Sequence, residues 1–293
     1  MHLAVNLFPG TLERELFLFG IADKTVSPGA HRADKSVHPT EQFDAGGPDT
    51  PVRPSATPMG GIALTYVMVD ILRASTVICT ALGNGAEAVI PVGDVGSARA
   101  LKTSPQLRHS LLCGERGGHK LEGFDLGNSP AEYTREKIAG RTLIFASTNG
   151  SVALTAAPAG ATVLVGGLVN LSALAQSIAR LDQPVLIACA GKEGGFSLED
   201  AVGAGAIVSK LWEADPALDL VNDGARAAQS LWDQYKSDPV MPLWQSQHGI
   251  YLIQIGFGAD LSVCGAIDSA PIVPVMRAGR LVVEPAPSSN DLN

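Results

Sequence analysis

Five charged side chains crowd one glycine-rich stretch, GERGGHKLEGFDLGNSP, residues 114–130. Glu115, Glu122 and Asp125 supply carboxylates; Arg116 and Lys120 supply cations. A solvated loop holds such charges without needing so much glycine. Here Gly114, Gly117, Gly118, Gly123 and Gly127 let the backbone approach a ligand closely and adopt positive φ. Carboxylates converging on an anionic substrate would repel it unless a cation intervened. Oxygen ligands with few nearby histidines favour a hard ion, and Mg²⁺ bridging protein carboxylates and phosphate is its habitual use. Zinc would want more His or Cys than this segment offers.

Three other stretches set polar groups at the end of an apolar run. In VMVDILRAST, residues 67–76, Asp70 ends the run and Arg73 follows within a turn. The pair reads either as a helix cap with its arginine, or as a metal- or substrate-binding carboxylate beside an anion-binding arginine. In FASTNGSVAL, residues 145–154, Ser147, Thr148, Asn149 and Gly150 precede an apolar helix. Small hydroxyls and free N–H groups suit a phosphate or sulfonate there, and equally a plain cap. CAGKEGGFSLEDAVGAGAIV, residues 189–208, carries Lys192 and Glu193 in a glycine-rich loop. Glu199 and Asp200 open the following helix, where the dipole alone would favour them, and the glycines and alanines beyond read as close helix packing. Cys189 ends a strand beside this loop but lacks the arginine of a phosphate-loop cysteine, so it reads as structural. Neither GxxxxGK[ST], GxSxG nor HExxH occurs.

These groups need a frame. From residue 65 the chain alternates short, β-branched apolar runs (TYVMVD, EAVIPV, SLLCG, TLIFAS, TVLVGG, PVLIACAG) with helix-like stretches. Helices are expected over 74–82, 95–102, 130–138, 171–181, 198–212, 224–235 and 246–255. The alternation predicts a three-layer α/β/α fold around a mostly parallel sheet, with polar loops at the carboxyl ends of its strands. HLAVNLFPG, residues 2–10, reads as a first strand. LSVCG and the hairpin-like PIVPVMRAGRLVVE finish the chain, so some antiparallel C-terminal strands are expected. Residues 21–61 hold six of the 19 prolines among polar residues, which predicts a surface insertion. Residues 1–293 are read as one unit, with two interlocked halves as the alternative partition. The last eight residues, APSSNDLN, read as a frayed end.

Composition narrows the function classes. A formal charge of −8 argues against a nucleic-acid binder but leaves room for a small anion held by local positive charge. The four cysteines lie far apart with no CxxC spacing and read as buried thiols. No signal pattern and no apolar run of membrane-spanning length is present, so the expectation is a cytoplasmic protein without a membrane partner. The apolar composition permits a homodimer without requiring one.

VDILRAST (69–76), GERGGHKLEGFDLGNSP (114–130), STNGS (147–151) and CAGKEGGFSLED (189–200) together resemble the 2-phosphosulfolactate phosphatase family in order and spacing. HGIYLIQIGFGADLSVC (248–264) is similar to its C-terminal signature. The resemblance runs from Thr65 to the end, plus the first strand. It departs at Val152 and Ile250, where relatives often carry a base. It implies a Mg²⁺-dependent phosphatase releasing phosphate from 2-phosphosulfolactate to give 3-sulfolactate, an intermediate on a route to coenzyme M. In that reading Asp70, Glu115, Glu122 and Asp125 surround the metal, and Asp70, Arg73, Glu115, Arg116 and Asp125 are catalytic. Lys120, Asn128, Ser147, Thr148, Asn149, Gly150 and Lys192 hold the substrate. A phosphatase for another small phospho-carboxylate, and a non-catalytic binder of anionic metabolites, are the alternatives.

Overall fold

The computed structural model describes residues 1–9 and 63–283; the expected insertion at 21–61 and the chain end at 286–293 lie outside them. Strands β1 (His2–Asn6) and β2 (Thr65–Val69) are followed by helix α1 (Ala74–Gly83), β3 (Ala88–Pro91), α2 (Val95–Lys102), β4 (Leu111–Arg116) and the short β5 (His119–Lys120). A 3₁₀ turn, Pro130–Glu132, leads to α3 (Arg135–Ile138), β6 (Thr142–Ala146), α4 (Gly150–Thr155), β7 (Thr162–Gly166), α5 (Leu171–Leu181) and β8 (Val185–Cys189). Then come α6 (Leu198–Ala214), β9 (Asp219–Leu220), α7 (Asp223–Tyr235), α8 (Met241–Gln245), α9 (Gln247–Gln254), α10 (Gly258–Cys264), β10 (Pro274–Arg277) and β11 (Arg280–Val283). The fold is the expected α/β architecture. The single helix expected over 130–138 is split in two, and LSVC lies in α10.

The eleven strands form one sheet in the order β5-β4-β6-β3-β11-β10-β7-β2-β8-β1-β9. Side chains alternate across it, as the period of two requires. In β2, Val67 and Val69 join a core with α5, α6 and α7, whereas Tyr66 and Met68 face α1. In β6, Leu143 and Phe145 share that second core, while Ile144 and Ala146 pack on a third with α2 residue Ala98. Layers on both faces follow.

The C-terminal hairpin sits in the middle of the sheet. Its turn residues Ala278 and Gly279 both have positive φ, 47° and 78°, the geometry of a two-residue turn matched to strand twist. β10 pairs antiparallel with β7 through Val275 and Leu164, and β11 antiparallel with β3 through Leu281 and Val89. With the hairpin's own antiparallel pairing this makes three reversals. The parallel block β4-β6-β3 therefore runs opposite in sense to the parallel block β7-β2-β8-β1-β9. In a flat sheet their carboxyl ends would lie on opposite edges. Twist accumulating at ~20–25° per strand rotates β6 relative to β2 by roughly 100–125° over five steps, swinging the two edges toward one another. Consistent with that curvature, α4 after β6 packs on both β2 and β3. The two blocks meet at one site.

Candidate active site

Asp70 leaves the end of β2 and is almost fully buried. Its Oδ1 accepts from the Ala74 N–H at 3.2 Å, and its own N–H donates to Ser75 Oγ at 2.9 Å, so the turn into α1 fixes the carboxylate. Gly150 presses on it from α4: a Cβ there would lie 2.7 Å from Asp70 Oδ2 and 2.5 Å from Ala74 Cβ. Burial pushes the Asp70 carboxyl up to about 6; His248 and the Ala74 N–H oppose this, and the charges of Glu115 and Glu199 add to it.

Glu115 comes from the end of β4 in the other block. Gly114 before it has φ 150°, and a Cβ would collide with the Ala146 carbonyl of neighbouring β6. Glu115 Oε2 accepts from Gly118 N–H and Oε1 from Thr148 N–H, each at 2.8 Å. The carboxylate thus ties the glycine-rich loop to the loop after β6. Thr148 Oγ1, in the loop after β6, and Asn128 Oδ1, in the glycine-rich loop, are buried with no hydrogen-bond partner among the described residues.

Sequence reasoning did not assign Glu199, Asp200 or His248 to the site. Glu199 and Asp200 lie in the first turn of α6, where Ser197 Oγ accepts from Asp200 N–H, and both are buried. Asp200 accepts from Ile71 N–H at 2.8 Å and Gly191 N–H at 3.0 Å, clamping the loops after β2 and β8. Burial, then the charges of Asp70 and Glu199, hold its carboxyl well above the usual range. Glu199 Oε1 lies 3.2 Å from Nδ1 of His248, the second residue of α9. The Ser246 hydroxyl and the Glu199 N–H also favour this carboxylate, more weakly than His248. Burial alone would raise the Glu199 carboxyl, but the hydrogen bond and charge of His248 outweigh it and hold it low. The HG pair opening the 248–264 signature was the only local hint of this histidine.

Other expected residues are placed differently. Arg73 is 1% exposed, with NH1 on Asp260 Oδ2 at 2.7 Å, NH2 on the Gly118 carbonyl at 2.9 Å, and its guanidinium 4.4 Å from the Phe257 ring centre. Ser129 Oγ donates to the other Asp260 oxygen at 2.7 Å. This buried node fastens the glycine-rich loop to α10. Asp125 is exposed and binds Lys102 Nζ at 3.0 Å and Leu112 N–H at 2.8 Å. Burial would raise its carboxyl, but these partners hold it below the usual range. Glu122 is also exposed, whereas Asp70 and Glu115 are buried. Arg116 and Lys120 are exposed cations. Ser147 is buried and exchanges hydrogen bonds with Ser151, so Thr148 presents the hydroxyl of that loop. Asn149 Oδ1 accepts from Glu193 N–H, and Lys192 sits 4.9 Å from the Tyr251 ring centre. Cys189 is buried and its thiol is raised well above the usual range, first by burial and then by Asp200 and Glu199.

Among the described residues no three His, Cys, Asp or Glu side chains form a ready-made metal cluster. Mg²⁺ does not need one, since it commonly takes one or two carboxylates with water and phosphate oxygens. Asp70, Glu115 and the unpartnered Thr148 Oγ1 and Asn128 Oδ1 are all hard oxygen donors, and they fit that ion better than the set with Glu122 and Asp125.

Buried acids gathered with one histidine at the carboxyl ends of sheet strands make this an α/β enzyme site, with acid–base groups drawn from both strand blocks. The family model described as 2-phosphosulpholactate phosphatase matches residues 52–279, and the chain belongs to that family. It is 41% identical over 226 residues, 75% of this chain and 92% of the relative, to a protein of Synechococcus sp. (strain RCC307) named "Probable 2-phosphosulfolactate phosphatase". Proteins of the same name match from Caldanaerobacter subterraneus subsp. tengcongensis, at 39% over 73% of this chain and 88% of the relative, and from Carboxydothermus hydrogenoformans, at 40% over 74% and 89%.

Proposed function

We propose that this chain hydrolyses 2-phosphosulfolactate to 3-sulfolactate and phosphate, with Mg²⁺ as cofactor, in the cytoplasm. The observation carrying the reading is the convergence of Asp70, Glu115, Glu199 and Asp200 in one buried region, where His248 pairs with Glu199 and the nearby Arg73 is already paired with Asp260. Such a site binds protons or a cation, and a phosphate monoester can enter it only if that charge is answered. Asp70 and Glu115 would hold the ion, with Thr148 Oγ1 and Asn128 Oδ1 beside them. When bound, Mg²⁺ supplies charge neutralisation of phosphate oxygens and orientation for in-line attack.

The chain's own groups supply the rest. The Arg73–Asp260–Ser129 node fixes the loop that carries Glu115 and Asn128. Asp200, holding the Ile71 and Gly191 N–H groups, keeps the Asp70 and Lys192 loops in register. Arg116, Lys120 and Lys192 are cations for the sulfonate and carboxylate. The unpaired buried thiols suit a reducing compartment, and the product would place the reaction on a route to coenzyme M.

A second reading, a phosphatase for a phospho-carboxylate lacking sulfonate, is favoured by Val152 and Ile250. Both are apolar and about half exposed, 46% and 45%, where a base would otherwise meet a second anionic arm. Phosphate release across a panel of phosphorylated hydroxy-acids, with Mg²⁺ and with EDTA, separates the readings. Highest kcat/KM on 2-phosphosulfolactate and loss in EDTA are expected. Activity indifferent to EDTA would remove the metal, and strong preference for an ester without sulfonate would replace the substrate.

A further inference from the structure

We propose that His248 is the general acid that protonates the departing ester oxygen, and that Glu199 positions it; both roles rest on the phosphatase reading above. The two side chains come from the first turns of separately capped helices. Ser197 Oγ accepts from Asp200 N–H at the start of α6, and Ser246 Oγ accepts from Gly249 N–H at the start of α9. Residues on capped first turns have little freedom, so the 3.2 Å contact between Nδ1 and Glu199 Oε1 is a fixed orientation. Glu199 is 1% exposed, and His248 is its strongest polar neighbour, ahead of its own N–H and the Ser246 hydroxyl. A buried carboxylate facing an imidazole nitrogen keeps a hydrogen on that nitrogen. The transferable proton therefore belongs to Nε2.

The ring also has access. The His248 side chain is 18% exposed against 1% for Glu199, so the dyad is buried at its carboxylate and open at its imidazole. Tyr251, one turn further along α9, donates to the Gly117 carbonyl at 2.9 Å and its ring centre lies 4.9 Å from Lys192 Nζ, so the helix that carries the imidazole packs on the two loops that line the site. Other nearby bases are less suited. Arg73 is spent on Asp260 and Gly118, and a guanidinium does not release its proton.

A hydroxy-acid is a poor leaving group as an alkoxide, so this is the step where a proton matters. The ester P–O bond breaks with its electron pair going to the leaving oxygen. That oxygen takes the Nε2 proton and departs as the hydroxyl of the product. A water oxygen forms the new P–O bond, and the proton it sheds passes to solvent. The neutral imidazole keeps its Nδ1 hydrogen, facing Glu199, and regains one at Nε2 from solvent.

The test compares leaving groups on the full chain with Mg²⁺. kcat and KM are measured for 2-phosphosulfolactate and for 4-nitrophenyl phosphate, whose phenolate leaves without a proton, in wild type, His248→Gln and Glu199→Gln. Expected for His248→Gln is a kcat loss of about 10²–10⁴-fold on the alkyl ester with KM within about threefold, and a loss at least about tenfold smaller on the aryl ester. Glu199→Gln should show the same selectivity at smaller size. Equal losses on both esters, or a raised KM with kcat intact, would overturn the proposal. An unchanged unfolding midpoint and an unchanged inhibition constant for inorganic phosphate separate chemistry from misfolding. If His248→Gln fails that check, the contrast in Glu199→Gln decides. Were wild type to prefer another alkyl phosphate, the same contrast would be read on that ester. Only a wild type releasing phosphate from neither class would overturn the phosphatase reading itself.

Discussion

Replacing Asp70 with asparagine should stabilise the metal-free protein at neutral pH while abolishing its activity. Asparagine keeps the side chain's volume and the Oδ1 that accepts from Ala74 N–H, but cannot ionise. In wild type, burial first and then Glu115 and Glu199 lift the carboxyl from 3.8 to about 6. A raised carboxyl favours the fold while protonated. Its contribution is fully present below pH ~4 and is lost as the pH climbs through about 6. At about 1.4 kcal/mol per pH unit, the rise costs the ionised wild type about 3 kcal/mol. Urea unfolding of both proteins in chelator should give nearly equal stabilities at pH 4 and an advantage of about 3 kcal/mol for Asp70→Asn at pH 8. Removing the Asp70 charge also relieves Asp200, which adds in the same direction. Mg²⁺ should then restore wild type, by about 2.7 kcal/mol at a hundredfold excess over Kd, and leave the variant unmoved. A gain independent of pH, or no gain at pH 8, would refute the electrostatic account. Equal stabilisation of both proteins by Mg²⁺ would refute the assignment of Asp70 as a holder of the ion.

Asp260→Ala should lower unfolding stability by about 3–5 kcal/mol, because it strands the Arg73 guanidinium in an apolar setting; thermal denaturation reads it, and a loss below about 1 kcal/mol would mean solvent reaches Arg73. Gly150→Ala should cost about 1–3 kcal/mol and cut kcat by displacing Asp70, whereas Gly83→Ala, whose Cβ meets nothing within 4 Å, should be neutral or mildly stabilising in the same melts. Asp125→Asn should leave kcat within about threefold and cost under about 1 kcal/mol, since the pair with Lys102 is solvent-screened. The low-lying carboxyl of Asp125 makes that small contribution present at neutral pH and lost on acidification, so the two proteins should converge below the ordinary carboxylate range. A collapse of Mg²⁺-dependent activity in Asp125→Asn would return this residue to the metal set.

What the sequence disclosed was local. TYVMVD announced both a buried strand and a carboxylate at its end, because a period-two apolar run and the residue that stops it are neighbours in the chain. The helices over 95–102 and 171–181 were legible to the residue for the same reason. Pairing across the fold was not legible. Glu122 and Asp125 look like Glu115 on paper, and what separates them is that Lys102 and the Leu112 N–H wait for Asp125 while Gly118 and Thr148 wait for Glu115. Arg73 read as an anion seat because Asp260, 187 residues on, carries no local mark of being its partner. Glu199 and Asp200 satisfied a simpler rule, acids at a helix N-terminus, and so concealed their part in the site.

That concealment has a topological root. The acids come from two blocks whose strands oppose one another in the sheet: Glu115 from β4, Asp70 from β2, and Glu199 and Asp200 from the helix after β8. They meet because the sheet twists around α1 and α4, with the antiparallel hairpin β10–β11 as the joint. The site is therefore sensitive to a region that carries none of its chemistry. A residue that flattens the hairpin, such as a β-branched side chain in place of Gly279 at φ 78°, strains the turn and loosens the joint between the blocks. Asp70 and Asp200 lie within one block and share its backbone contacts, so they should keep their geometry. The contact of Glu115 with Thr148 should survive too, since β4 and β6 belong together. What should fail first is the approach of Glu115 to Asp70, and with it metal affinity, before either block unfolds.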